Sequence, residues 1–140
     1  MTEKDVYDLQ ATWGQAIKDI SDVYLSGGDF VAQANEAAAE LYAYETEDVL
    51  FKPTKASEFP FRPTPTGALS YFVGGSNVDG GYEEDGGFAH NVGMGWSEVE
   101  FENVQIDLAL NMAFAMGHYI FTQATGEVIN MFIFKSQLPS

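Results

Sequence analysis

Three short segments place polar groups where the surrounding sequence is apolar. Asp48–Thr54 (DVLFKPT) carries Lys52 and Thr54, and Ala68–Gly75 (ALSYFVGG) carries Ser70 and Tyr71. Ala115–Thr122 (AMGHYIFT) carries His118, Tyr119 and Thr122. A buried polar atom without a hydrogen bond costs about 1–3 kcal/mol. A chain building only a core has no reason to do this three times, so the pattern points to a pocket with a polar floor. The chemistry on offer is proton transfer and anion holding. His118 is either a pocket base or donor, or a hydrogen-bonded core histidine. Thr54 and Tyr71 are uncharged hydroxyl donors that either stabilise a small oxyanion or bond to nearby backbone. Arg62, the single arginine of the chain, either clamps a carboxylate or pairs with one of the protein's own acids. Lys52 must find a carboxylate or carbonyl, or reach solvent.

Other chemistries have less support. The two histidines, His90 and His118, lie in different segments with no helical ligand spacing, so no metal site is expected. With no cysteine, disulfides and thiolate chemistry are excluded. The stretch GGSNVDGGYEEDGG lacks the Lys-Ser/Thr and the following helix of a phosphate cradle, and no cofactor is expected. Its acids, Glu83, Glu84 and Asp85, are expected to be solvated. Six basic against twenty-one acidic residues give a net charge of −15, which repels nucleic acids and anionic membranes alike. No apolar run is long enough to span a bilayer, and MTEKD has no leader-like pattern, so a cytoplasmic location is the expectation.

The elements that must position these groups are legible in outline. Thr2 and Asp5 fit a capping box, followed by Val6, Leu9, Trp13, Ile17, Ile20 and Tyr24 at helical spacing up to Gly27–Gly28. Asp29 caps a second helix with Phe30, Ala34, Ala38 and Leu41 on one face. Val49–Lys52 reads as a short buried strand and the proline-rich 53–66 as an irregular loop. Thr66 caps a short helix over Gly67–Val73, although the alternation of Leu69, Tyr71 and Val73 also fits a strand. The segment 74–87 reads as a mobile loop or hairpin tip. From Trp96 on the pattern is strands. Val99 and Phe101 alternate with glutamates, and Met112–Thr122 is apolar on both faces. After a turn at Ala124–Glu127, Val128–Phe134 is the last strand. A strand buried on both sides needs two covering layers, one of helices and one from a second subunit. The 140 residues form one α+β domain. The architecture expected is a cystatin-like cone, with N-terminal helices packed on a curved, mostly antiparallel sheet enclosing a pocket.

The motifs DVLFKPT, FRPT (Phe61–Thr64), ALSYFVGG, GFA (Gly87–Ala89), Trp96–Asn103 and AMGHYIFT, in this order, resemble the iota-class carbonic anhydrases. The resemblance runs from about Trp13 to Thr122. It implies a SnoaL-like fold of the nuclear transport factor 2 superfamily, a homodimer packed sheet to sheet, and CO2 hydration without a metal. By that resemblance Thr54 and Tyr71 hold the anion; His118 stands where the family more often has asparagine, and its reading as the proton-handling group comes from its residue type and apolar setting. Lys52, Arg62, Ser70, Tyr119 and Ser136 are the further candidates for ligand contact. The family ends in a tandem His-His-Ser-Ser, whereas this chain ends FKSQLPS, where Ser136 and Pro139 correspond and both histidines are absent. Two other functions stand beside CO2 hydration: a non-catalytic small-molecule-binding or dimerisation module, and an isomerase or cyclase acting on a small organic substrate.

Overall fold

A reciprocal cap starts the first helix. Thr2 Oγ1 accepts from Asp5 N at 3.2 Å, and the Asp5 carboxylate accepts from Thr2 N at 2.7 Å. Helix α1 then covers Glu3–Leu25 and ends where Gly28 N donates back to the Val23 carbonyl at 2.8 Å. Asp29 accepts from Ala32 N at 3.0 Å and opens α2, Phe30–Tyr42, with Ala34 and Ala38 buried as the periodicity predicts. The structure, a computed structural model, describes residues 1–42, 51–53 and 55–139; of Tyr42 and residues 130–139 it describes the backbone alone. The expected strand at Val49–Lys52 therefore lies partly outside the described residues. Within them, Phe51 makes an isolated antiparallel bridge to Arg62.

The third helix corrects the sequence reading. Helix α3 is Pro65–Val73, and its cap is Thr64 rather than Thr66: Thr64 Oγ1 accepts from Gly67 N at 3.1 Å. Pro65 decides this, because its fixed φ and missing N–H suit the first helical position. A helix also replaces the alternative strand. Its burial is not confined to one stripe, since Ala68, Ser70, Tyr71, Phe72 and Val73 are all buried.

The strands β1 (Trp96–Leu108), β2 (Met112–Gln123) and β3 (Val128–Pro139) form an antiparallel sheet in the order β1-β2-β3, so the architecture is α+β. A register shift between Asn103 and Gln105 joins the two alternating stretches of the sequence into one bulged strand. The last strand runs on from the expected end at Phe134 to Pro139.

Contacts divide the chain into two compact units. One comprises Met1–Lys18 and the chain from Trp96 on, and the other is Asp19–Gly95. In the first, one sheet face packs on α1. Val6 meets Ala113 and Ala115, and Trp13 stacks on Tyr119 with centroids 5.6 Å apart. Gln10 and Asn103 exchange two hydrogen bonds of 2.8 Å. On the opposite face of β2, Phe114 and Met116 are 37% and 42% exposed.

Candidate functional site

In the Asp19–Gly95 unit the polar groups converge on Arg62. Its side chain is fully buried, and its five N–H donors are all engaged. Nε donates to the Phe59 carbonyl at 2.7 Å, and Nη1 to the Gly67 carbonyl at 2.8 Å and to Asp85 at 2.7 Å. Nη2 donates to Asp85 at 2.9 Å and to Glu84 at 3.3 Å. The guanidinium also lies 4.1 Å from the Tyr82 ring centre. The hydrogen bond to Asp85 is the main cause holding the Arg62 pKa above its ordinary value, against the opposing effect of burial.

The loop expected to be mobile is instead built around this group. The Asp85 side chain is 2% exposed and Glu84's is 12%. Their burial corrects the expectation that these acids are solvated; Glu83 alone of the three is exposed. The Glu84 carboxylate accepts from the backbone N–H groups of Ser57, Glu58 and Phe59 at 2.9, 3.0 and 2.7 Å. Those three donors, with a smaller contribution from Arg62, hold its pKa down at about 2. The glycines permit close backbone packing: a Cβ on Gly75 would overlap the Tyr82 carbonyl.

Of the predicted site residues, this unit brings together Arg62, Ser70 and Tyr71. Ser70 Oγ donates to Asp85 at 2.5 Å and accepts from Tyr82 N at 3.0 Å. Tyr71, 8% exposed, lies in an aromatic box. Phe88 stacks on it at 5.4 Å, while Phe51 and Phe72 meet it edge-on at 5.8 and 5.5 Å. Lys52 is exposed, as one branch of the sequence reading required. Thr54 lies outside the described residues.

His118 and Tyr119 belong to the sheet unit and point to opposite faces of β2. Tyr119 packs among Trp13, Phe101 and Phe121. His118 stands opposite Glu102 in the register, and its Nδ1 is buried with no hydrogen-bond partner among the described residues. Ser136 pairs in register with Ala115, its side chain lying outside the description. Among the described residues, no group of three or more His, Cys, Asp or Glu side chains is placed to hold a metal ion.

Sequence reasoning missed His90. It is buried, stacked on Tyr24 with centroids 4.0 Å apart, and hydrogen-bonded through both nitrogens. Nε2 lies 2.9 Å from the Val73 carbonyl, and Nδ1 accepts from Gly93 N at 2.9 Å. That pairing assigns the proton to Nε2. The turn behind it holds Asn91 and Val92 at φ of 54° and 53°, strained for a β-branched residue. The only signal in the sequence is the nearby run of glycines.

The comparisons with known proteins converge. The sequence profile of the metal-independent carbonic anhydrases matches residues 4–135. The chain belongs to this family. A metal-independent carbonic anhydrase of Nostoc sp. (strain PCC 7120) is 39% identical over 130 residues. The match covers 91% of this chain but 60% of that protein, so the chain spans less than two thirds of its relative's length. Among solved structures, the iota-carbonic anhydrase from a cyanobacterium complexed with bicarbonate superposes with a TM-score of 0.83 at 33% identity. That alignment covers 100% of this chain and 93% of the other. The resemblance read from the sequence motifs is thereby established at the level of the metal-independent carbonic anhydrase family and its fold.

Proposed function

We propose that the chain interconverts CO2 and bicarbonate without a metal, as the names of its relatives suggest for them. The observation that carries this reading is the whole-chain fold match to a bicarbonate-bound relative. In the reaction, a water oxygen forms a bond to the CO2 carbon and one C=O electron pair moves onto oxygen. The released proton passes to a base. Without a metal, hydroxyl donors must stabilise the developing oxyanion and a side chain must take the proton. Tyr71, fixed in its aromatic box, and Thr54 are the oxyanion donors in this reading. For the proton, the side chain to be tested is His118, chosen by residue type and by an Nδ1 with no partner among the described residues.

The test is CO2 hydration by Tyr71→Phe and His118→Gln. Tyr71→Phe is expected to lower kcat by about a hundredfold, the scale of one lost oxyanion donor, with the circular dichroism unchanged. His118→Gln is expected to lower kcat, again with the circular dichroism unchanged. Wild-type rates in both variants would remove these residues from the site. The exposed Phe114 and Met116 support a homodimer through the open sheet face as part of the same proposal.

A further inference from the structure

We propose that Arg62, Asp85 and Ser70 form a brace that positions Tyr71, rather than contacting the anion themselves. The inference rests on the reading of Tyr71 as an oxyanion donor. Arg62 and Ser70 look like ligand-binding groups in the sequence. In the structure the guanidinium has all five donors engaged, and the Ser70 hydroxyl both donates and accepts within the protein. The contacts they make are with the supports of Tyr71.

Helix α3 is held at three points by the same pair. Arg62 Nη1 donates to the Gly67 carbonyl in its first turn. Asp85 accepts from Ser70, the residue before Tyr71. The Asp85 carbonyl accepts from Gly75 N at 2.9 Å, just past the helix end. The walls of the aromatic box trace to the pair as well. Arg62 N donates to the Phe51 carbonyl at 2.8 Å, which sets the ring that meets Tyr71 edge-on. Phe88, stacked on the phenol, follows Asp85 by three residues. A substrate as small as CO2 or bicarbonate offers no remote part to grip. Orientation must therefore come from groups the protein has already fixed, and a misplacement of about 1 Å can cost about a hundredfold in rate. A bidentate buried Arg–Asp pair supplies that rigidity.

The test labels the wild type, Ser70→Ala and Asp85→Asn with 3-fluorotyrosine. The Tyr71 fluorine resonance is assigned by its loss in Tyr71→Phe, and CO2 hydration is measured alongside. Ser70→Ala keeps the Arg62–Asp85 pair and its links at Gly67 and Gly75, and removes the side-chain link at Ser70 together with the bond Ser70 Oγ accepts from Tyr82 N. It is expected to fold, shift or broaden the Tyr71 resonance, and lower kcat about tenfold with KM nearly unchanged. Asp85→Asn is expected to do the same more strongly; if it fails to fold, Ser70→Ala decides. A folded Ser70→Ala protein with a lower melting temperature, an unmoved Tyr71 resonance and wild-type kcat would make the cluster merely structural and overturn the proposal. A wild type without hydration activity would remove the CO2 reading. The Tyr71 resonance would then still test the brace, its movement in Ser70→Ala supporting the brace and its constancy overturning it.

Discussion

In the sheet unit, helix and strands meet mainly through rings and methyl groups, with the Gln10–Asn103 amide pair beside them. Trp13 sits among Phe101, Tyr119 and Phe121, and Val6 sits on Ala113 and Ala115. In the Asp19–Gly95 unit the centre is ionic, with one guanidinium holding two carboxylates, two carbonyls and, through Asp85, a helix hydroxyl. The two solutions respond differently to damage. An apolar contact that loses a methyl loses area in proportion. A buried ion pair that loses one partner leaves the other charged, desolvated and unmatched. The unit that carries Tyr71 is therefore the more brittle and the more exactingly ordered of the two.

The comparison breaks most visibly at Arg62. Arg62→Ala should cost about 3–5 kcal/mol in urea unfolding, or prevent folding, because Asp85 is left buried without its partner. A loss under 1 kcal/mol would show that the ionic centre does not hold this unit. The sheet unit should yield less to its most crowded substitution. Gly117→Ala would press a Cβ onto the Glu102 carbonyl where the strands approach closely, and should cost about 1–3 kcal/mol. An unchanged stability would mean that the strands part there without penalty.

Smaller changes sharpen the contrast. Val92→Gly should raise stability by about 1 kcal/mol, because glycine tolerates the left-handed φ of 53° that valine resists, and Val92 is largely exposed. A lower melting temperature would mean that the valine side chain makes a contact worth more than the strain. The pH response of Glu84 is the subtlest. Its folded pKa of about 2 lies below the ordinary 4.5, so its contribution is complete above pH 4.5 and is lost as pH falls through about 2. The stability gap between wild type and Glu84→Gln should narrow across that window. A gap independent of pH would deny the carboxylate its anchoring of Ser57–Phe59.

How much of this was legible follows from how local each interaction is. The caps at Thr2 and Asp29 and the glutamate alternation of β1 depend on near neighbours, and the sequence displays them. The cap of α3 was misread by two residues because Thr64 and Thr66 are chemically alike, and only Pro65 at the first helical position separates them. The Arg62–Asp85 pair spans 23 residues, and in a chain of net charge −15 nothing marks one acid among twenty-one as buried. The glycine-rich stretch around it carries the composition of a flexible loop, yet its glycines serve close packing. Tyr71 stands out as a candidate by its apolar setting and by family resemblance. What holds it in place is not legible, since Ser70 and Arg62 carry the same residue types whether they face a ligand or the protein.

The most direct test of the central claim is stopped-flow CO2 hydration by the wild-type protein after exhaustive dialysis against a metal chelator. The expected rate lies well above the uncatalysed background and is unchanged by the chelator. A rate at background, or one that disappears with the chelator and returns with added metal, would contradict it.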